Sequence, residues 1–234
     1  MKVVALVVAA GRGSRAAQEL PKQYAPLAGV PVLRRTLEAV SSHPKIDALQ
    51  VVIGVDDAVL YEETIRGLPG LLPPAIGGST RQQSVLSGLE ALAAHDPQVV
   101  LVHDAARPFV SPAIIGRVIA ACEDGEAAIP AMAISETVKR VEAGTIAATV
   151  PRENLMSAQT PQGFPFHRLL DAHREATAAG RDDLTDDAAV AALAGVPVRV
   201  VEGERGNTKL TTHEDFAAAE KMLDMRMDSR TARR

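Results

Sequence analysis

Residues 3–11 read VVALVVAAG, a valine-rich apolar run that ends in small residues and a glycine. Such a run is typical of a strand buried on both faces of a parallel sheet. The lysine before it also gives the segment the composition of a short secretion signal. We favour the strand, because Arg12 and Arg15 follow in a glycine-rich loop that cleavage near Ala10 would sever.

Apolar and amphipathic segments alternate along the rest of the chain, which predicts βαβ units. Strands are expected at residues 3–9, 50–55, 75–76, 99–103, 127–131 and 198–201. Helices are expected at residues 32–40, 57–66, 80–94, 112–123, 165–179, 185–193 and from 214 onward. The predicted fold is α/β, a three-layer α/β/α Rossmann-like arrangement around a mostly parallel sheet. Ligands of such sheets bind beyond the carboxyl ends of the strands, here after residues 9, 76, 103 and 131.

Residues 136–151, ETVKRVEAGTIAATVP, interrupt this alternation with two β-rich segments around Ala143 and Gly144. The pattern predicts a hairpin that either packs on its own domain or projects toward a second copy. We therefore predict one domain over residues 1–226, with a β-arm at residues 135–156 and a flexible tail at residues 227–234.

Composition excludes several classes of protein. The net charge of −4 and the absence of tryptophan argue against binding of nucleic acid, and we interpret the basic C-terminal residues as a solvated tail. A single cysteine, Cys122, cannot form an internal disulfide, and its apolar helical surroundings favour a packing role over a nucleophilic one. No apolar run approaches the ~20 residues of a membrane span. A cytoplasmic location is expected.

The first motif is AAGRGSR at residues 9–15, followed by PKQY at residues 21–24. A glycine-rich loop after a strand lets backbone N–H groups approach phosphates. A dinucleotide fingerprint does not fit, because Pro21 and Pro26 prevent the required helix and no acidic residue ends a second strand about 20 residues on. Arg15 and Lys22 instead suit a nucleoside triphosphate, whose reacting phosphate gains negative charge.

Two further motifs lie at the carboxyl ends of predicted strands. GGSTRQQS at residues 77–84 can cap a helix or form the rim of a pocket. In HDAARP at residues 103–108, Asp104 is placed for Mg²⁺ or a ribose hydroxyl, and Arg107 for a phosphate. The alternative is an ion pair between Asp104 and Arg107. Weaker cation and hydroxyl clusters occur at Thr137, Lys139, Arg152, Thr160, residues 185–187 and residues 207–209. The spacing of His167 and His173 does not indicate a metal site.

Taken together and in order, the motifs AAGRGSR, PKQY, GGSTRQQSV, VLVHDAARPF, ETVKR, AQTPQGF, LTDDA and NTKLT resemble the 2-C-methyl-D-erythritol 4-phosphate cytidylyltransferases. The resemblance spans residues 3–211. It implies a nucleotidyltransferase fold, transfer of CMP from CTP to a sugar-alcohol phosphate, Mg²⁺ as cofactor, and a homodimer joined through the β-arm. The non-mevalonate route to isoprenoid precursors is the implied pathway.

The resemblance also implies residue roles. Arg15 and Lys22 match the pair that stabilises the pentavalent phosphate, and Arg152 and Lys209 match cations that hold the acceptor for attack. Nucleotide contacts are implied for Ala10, Gly11, Gly13, Gly78, Ser84 and Asp104. Acceptor contacts are implied for Asp104, Arg107, Thr137, Arg152, Thr160, Thr185 and Lys209. Asp104 is also expected beside a Mg²⁺ ion held mainly by phosphates.

The chain departs from the usual family pattern at Val8, Glu136 and Met156, where proline, aspartate and tryptophan are common. None of these residues replaces a cation of the implied site. Some members carry a fused cyclodiphosphate synthase, which we do not expect within 234 residues. The alternatives are a ribitol 5-phosphate cytidylyltransferase and a non-catalytic nucleotide-binding module. The joint presence of Arg15, Lys22, Asp104, Arg152 and Lys209 argues against the non-catalytic module.

Overall fold

The computed structural model describes residues 2–11 and 20–231. Its strands are β1 (Val3–Val8), β2 (Pro26–Leu27), β3 (Val30–Pro31), β4 (Ala48–Ile53), β5 (Ala75–Ile76), β6 (Val99–Asp104), β7 (Ala127–Ala133), β8 (Val138–Glu142), β9 (Thr145–Val150), β10 (Met156–Ala158), β11 (Gln162–Pro165) and β12 (Val198–Glu202). Its α-helices are α1 (Val32–Ser41), α2 (Ala58–Ile65), α3 (Arg81–Leu92), α4 (Pro112–Glu123), α5 (Phe166–Ala178), α6 (Asp187–Leu193) and α7 (His213–Thr231).

The main sheet has the strand order β10-β7-β11-β6-β1-β4-β5, with β12 also paired to β7. Pairings among β1, β4, β5 and β6 are parallel, as is the pairing of β12 with β7. Strands β10 and β11 run antiparallel to their partners. The carboxyl ends of β1, β4, β5 and β6 therefore lie along one edge of the sheet, which is where the ligand site was expected.

Strand β1 shows why the sequence gives three layers. Val3, Ala5 and Val7 belong to a core that includes residues of α1 and α4, whereas Val4 and Leu6 belong to a core with residues of α3 and α5. Successive side chains of a strand point to opposite faces, so a continuous apolar run has to be covered on both sides. The expected α/β fold with helices on both faces is confirmed.

Helix α3 lies close against the sheet because of Gly88. A methyl group at this position would overlap Leu6 Cδ1 and would stand 2.7 Å from Val52 Cγ2. A larger residue would force α3 away from β1 and β4, and α3 begins at the ligand edge. Gly88 therefore helps to set the distance between the start of α3 and that edge.

The predicted hairpin is present as β8 and β9, which form a two-stranded sheet of their own. Glu142 pairs with Thr145, and the two residues between them, Ala143 and Gly144, have φ values of 49° and 79°. Two left-handed residues in a two-residue loop are typical of a tight hairpin turn. This locates the predicted arm.

Other differences from the sequence predictions are small. Most helix and strand ends lie within one or two residues of their expected positions, but β2, β3, β10 and β11 were not foreseen. Strand β11 pairs with both β6 and β7 and so adds an antiparallel strand to the sheet. Helix α7 continues to Thr231, five residues into the segment expected to be a flexible tail. The boundary of the domain stays a prediction.

Candidate functional site

A pocket of about 550 Å³ opens at the carboxyl edge of the sheet. That volume lies within the range of small-molecule sites. Its walls come from the ends of β1, β4 and β6, the turn before β2, the start of α3 and the segment before α7. The lining residues are Val8, Ala9, Ala10, Gly11, Lys22, Gln23, Gly54, Val55, Gly77, Gly78, Ser79, Thr80, Arg81, Ser84, Asp104, Ala105, Ala106 and Lys209.

The PKQY motif forms a turn that is fastened to the end of β1. The Gln23 side chain is buried, and its Nε2 donates to the carbonyl of Ala9 at 2.6 Å. The backbone N–H of Tyr24 donates to the carbonyl of Pro21 at 2.8 Å, which closes the turn. This attachment places Lys22 in the pocket wall. Sequence reasoning identified Lys22 but missed the anchoring role of Gln23.

The predicted glycine-loop residues are only partly described. Ala10 and Gly11 line the pocket beyond β1. Arg15 and Gly13 lie outside the described residues, so their assigned roles stay predictions.

The GGSTRQQS motif both caps a helix and lines the pocket, so its two interpretations hold together. Thr80 is the N-cap of α3, and its Oγ1 accepts from the backbone N–H of Gln83 at 3.1 Å. The N–H of Gly78 donates to Ser84 Oγ at 3.2 Å, and that hydroxyl donates to the carbonyl of Thr80 at 2.9 Å. Ser84 thus stabilises the loop whose glycines form the wall.

Asp104, the last residue of β6, is surrounded by three cations. Its Oδ2 lies 2.8 Å from Lys209 Nζ and 3.7 Å from Arg107 Nε, and its Oδ1 lies 3.4 Å from Arg81 Nε. Burial alone would raise the pKa of this carboxyl, but the neighbouring cations, chiefly Arg81 and Lys209, hold its pKa well below the usual range. Asp104 is therefore ionised at neutral pH.

Arg107 takes part in the ion pair considered as its alternative role. Besides Asp104, it contacts the segment before α7, because its Nη1 donates to the carbonyl of Asn207 at 2.8 Å. Arg107 is not among the residues that line the pocket. In this arrangement Arg107 joins Asp104 to the loop that carries Lys209.

His103 and Thr160 form a buried hydrogen-bonded pair behind Asp104. His103 Nε2 lies 3.1 Å from the carbonyl of Arg107, which can only accept, so Nε2 carries the proton. Burial lowers the pKa of His103 to about 4, which leaves Nδ1 unprotonated to accept from Thr160 Oγ1 at 2.9 Å. Thr160 Oγ1 accepts in turn from the backbone N–H of Asp104 at 3.1 Å. Thr160 was expected to contact the acceptor substrate; its hydroxyl proton is directed at His103 in this structure, and the predicted contact stays a prediction.

Three other predicted acceptor contacts lie away from the lining of this pocket. Thr137 is exposed at the start of the arm, and Thr185 is exposed just before the N-cap of α6. Arg152 is exposed beyond the arm, and its guanidinium donates to the carbonyl of Ser135. The structure thus gathers Ala10, Gly11, Lys22, Gly78, Ser84, Asp104 and Lys209 in one pocket wall, but not Thr137, Arg152 or Thr185. The roles of these three residues stay predictions.

Arg81 is a site residue that sequence reasoning did not select, although it stands inside a quoted motif. It lines the pocket and joins Asp104 to the fully buried Asp187 of α6, 2.8 Å from Arg81 Nη2. These carboxylates raise the pKa of Arg81 against the opposing effect of burial. The available signal was its position directly after a helix-capping threonine, where a lone cation is unfavourable.

Three features of the described part of the chain concern metal ions, membranes and covalent chemistry. Among residues 2–11 and 20–231, no three His, Cys, Asp or Glu side chains are grouped to hold a metal ion. None of the described helices is long and apolar enough to cross a bilayer. Cys122 is buried, and burial raises the pKa of its thiol to about 12, so it is not poised as a nucleophile.

Comparison with known proteins places this site in a family. Residues 3–225 match the family model of 2-C-methyl-D-erythritol 4-phosphate cytidylyltransferase. The chain is 50% identical over 223 residues to the bifunctional enzyme IspD/IspF of Rhodopseudomonas palustris (strain HaA2), covering 95% of this chain and 55% of that protein. The corresponding protein of Nitrobacter winogradskyi is 49% identical, with 95% and 56% covered. The chain therefore spans about half the length of these curated relatives.

Solved structures show the same fold. The 2-C-methyl-D-erythritol 4-phosphate cytidylyltransferase of Thermus thermophilus superposes with a TM-score of 0.81 at 34% identity, covering 96% of this chain and all of that one. The 4-diphosphocytidyl-2C-methyl-D-erythritol synthase of Anaerococcus prevotii gives a TM-score of 0.83 at 30% identity, covering 95% and 96%. From its motifs, its fold and these matches, the chain belongs to the 2-C-methyl-D-erythritol 4-phosphate cytidylyltransferase family.

Proposed function

We propose that the protein transfers CMP from CTP to 2-C-methyl-D-erythritol 4-phosphate, releasing pyrophosphate and forming 4-diphosphocytidyl-2-C-methyl-D-erythritol. The observation that carries the proposal is the convergence of Lys22, Lys209 and Asp104 on one pocket that is also lined by the glycine-rich segments at Gly11 and at Gly77–Gly78. Cations from distant parts of the chain and a closely approachable backbone are the features that a nucleoside triphosphate site requires. Membership of the family supports CTP and 2-C-methyl-D-erythritol 4-phosphate as the two substrates.

The wall at Ala10, Gly11 and Gly78 is where we place the nucleotide. A methyl group on the neighbouring Gly77 would overlap Ala10 Cβ and would stand 2.8 Å from Ser84 Oγ, so the two loops touch at that point. The touching loops form a continuous surface of backbone groups beside Ser84. Such a surface can bind a base and ribose through N–H and C=O groups without large side chains in the way.

The proposed reaction requires little proton transfer by the protein. An oxygen of the acceptor phosphate attacks the α-phosphorus, a new P–O bond forms, and the bond to the bridging oxygen breaks as pyrophosphate leaves. The attacking oxygen is already ionised at neutral pH, so no general base is needed. The work of the chain is to position the two phosphates and to stabilise the growing negative charge, for which Lys22 and Arg15 are the proposed groups.

We also propose Mg²⁺ as the cofactor. Asp104 fits this ion, because Mg²⁺ in nucleotide sites is usually held by one or two carboxylates together with substrate phosphates. When bound, the ion would offset phosphate charge. The residues of the chain would meanwhile hold Asp104 ionised through Arg81, Arg107 and Lys209.

A homodimer joined through the arm is the proposed assembly, and exposed apolar side chains on the arm support it. Val141 and Ile146 are 56% and 63% exposed on the paired strands β8 and β9. Exposed apolar side chains on a projecting hairpin suit contact with a second copy. Thr137 and Arg152, at either end of this hairpin, would then reach the acceptor in the partner's pocket.

A cytoplasmic location is proposed as well, because a single cysteine cannot form an internal disulfide.

The activity is tested by pyrophosphate release with CTP and Mg²⁺ and either 2-C-methyl-D-erythritol 4-phosphate or ribitol 5-phosphate. We expect turnover with the first acceptor and far less with the second or with ATP. Lys22→Ala should lower kcat on the order of 10²-fold, the usual scale for a lost transition-state donor. Lys45→Ala, which removes a surface lysine paired with Glu123, is the matched control. Equal turnover with ribitol 5-phosphate would contradict the assignment of 2-C-methyl-D-erythritol 4-phosphate as the acceptor.

Subunit mixing tests the composite site. An Arg152→Ala chain and a Lys22→Ala chain, each nearly inactive alone, are mixed and allowed to exchange subunits. If Arg152 acts across the interface, each mixed dimer has one site with both defects and one intact site. About half of the dimers are mixed, so activity should recover toward about a quarter of the wild-type value. Proven exchange without recovery would show that Arg152 serves its own subunit.

A further inference from the structure

Arg81 occupies an electrostatically unfavourable position that its surroundings compensate. It is the first residue of α3, where the positive end of the helix dipole disfavours a cation. Its guanidinium spans two carboxylates, with Nε 3.4 Å from Asp104 Oδ1 and Nη2 2.8 Å from Asp187 Oδ2. Only a planar fork with several donors can contact two acceptors in this way.

Of these two carboxylates, Asp187 is the one held in place by other buried groups. It is fully buried, and its Oδ1 lies 3.2 Å from Nε2 of the equally buried His173. The backbone N–H groups of Asp187 and Ala188 donate to Gln162 Oε1 at 3.1 and 3.0 Å. Asp187 is thus bound from α5 and β11 as well as by Arg81, so it cannot shift without breaking several buried hydrogen bonds.

Asp104 is the contact that Arg81 can orient. Arg81 holds Oδ1 of this carboxylate, whereas Oδ2 faces Lys209 at 2.8 Å and Arg107 at 3.7 Å. With one oxygen held from the side of Asp187, the plane of the carboxylate is restricted and the other oxygen is presented to Lys209 in the pocket wall. Arg81 also lies at the pocket wall, so it can set this orientation where substrates would bind.

We propose that Arg81 is a positioning residue, which uses the buried Asp187 as an anchor to fix the orientation of the Asp104 carboxylate in the pocket. This inference rests on the proposed cytidylyltransferase activity. Arg81 acts through Asp104 and does not hold the triphosphate, because two of its three nitrogens are directed at carboxylates. The chain element that carries the anchor, α6, thereby affects turnover although its side chains do not line the pocket.

Kinetics and stability together test the proposal. We would measure kcat, KM for each substrate and the melting temperature for Arg81→Lys, Arg81→Met and the double variant Arg81→Met/Asp187→Asn. Arg174→Met is the control, because Arg174 forms an exposed ion pair with Glu90. A lysine keeps the charge but cannot span both carboxylates, so Arg81→Lys should melt near the wild-type temperature with reduced kcat.

Arg81→Met should lower kcat on the order of 10²-fold, the scale of an ångström-level misplacement of a reacting group. It should also lower the melting temperature, because Asp187 then keeps an uncompensated buried charge. The double variant removes that charge, so its melting temperature should recover while kcat stays low. If kcat of the double variant recovers together with its melting temperature, Arg81 has only a structural role. A raised KM for CTP at normal kcat would make it a nucleotide contact. Either result overturns the proposal.

A readout that needs no turnover separates this inference from the proposed activity. The Nε–H resonance of Arg81 in a ¹H–¹⁵N spectrum is identified by its loss in Arg81→Lys. Asp104→Asn should shift it, and Asp187→Asn should broaden it as the anchor is weakened. An unchanged resonance in both variants would overturn the proposed positioning even in an active enzyme. A wild-type protein that releases no pyrophosphate would instead reject the proposed function.

Discussion

Replacing Thr160 by valine should destabilise the protein through the buried groups that its hydroxyl serves. The hydroxyl donates to His103 Nδ1 and accepts from the backbone N–H of Asp104. Valine has nearly the same shape but no hydroxyl, so both partners lose their hydrogen bonds in a buried place. At about 1–3 kcal/mol for each unsatisfied buried group, we expect a loss of about 3 kcal/mol in the free energy of unfolding.

Urea unfolding measures this loss directly. With an m-value of about 3 kcal/mol per molar, the midpoint should fall by about 1 M. Thr160→Ser keeps the hydroxyl and loses one methyl group, so it should cost only about 1 kcal/mol. Thr177→Val, at an exposed position on α5, should stay within about 0.5 kcal/mol of wild type. A Thr160→Val variant no less stable than Thr160→Ser would refute the hydrogen-bond scheme behind Asp104.

Two further predictions concern pH and packing. The pKa of His103 is about 4 in the folded protein against about 6.5 when unfolded, so the unfolded chain binds a proton first as pH falls. The stability gained by keeping His103 neutral in the folded protein is complete above pH ~6.5 and is lost as the pH falls toward ~4. The free energy of unfolding should therefore drop by about 2 kcal/mol between pH 8 and pH 5. His103→Asn should remove that slope, and an equally steep slope in the variant would contradict the assignment. Gly77→Ala should raise KM for CTP and lower stability by about 1–3 kcal/mol, because the new methyl group meets Ala10 and Ser84. Gly206→Ala, where a methyl group meets nothing, is its control, and equal effects of the two in kinetic and melting assays would rule out the packing argument.

The elements that sequence reasoning located well are those with local signals. The helix at residues 112–123 was predicted with the observed ends, since Ser111 caps it and Pro112 starts it. The hairpin turn at Ala143 and Gly144 was located because few residues adopt its backbone conformation. Strand β11 was missed, because residues 162–165 carry no clear alternation and owe their conformation to pairing with β6 and β7.

The residues of the candidate site likewise fall into those identified from local motifs and those whose roles depend on distant partners. Lys22, Asp104 and Lys209 could be named from motifs, since each stands in a short pattern of characteristic residues. Gln23 and Arg81 stand in the same motifs, yet their partners are the carbonyl of Ala9 and the carboxylates of two other segments. A motif identifies chemistry that is local in the chain, and it does not show which of its members face a ligand and which fasten the loop.

By itself, the sequence determined the layers of this protein, its hairpin and the charged residues Lys22, Asp104 and Lys209 that line its pocket. These follow from local properties of the chain, namely the periodicity of apolar residues, the residues of the turn and the residue types present. The tertiary structure alone decided that Arg81 meets Asp187, 106 residues away, and that His103 meets Thr160 across 57 residues. The physical reason is that such pairs depend on strand order and register, which bring distant segments to one edge of the sheet.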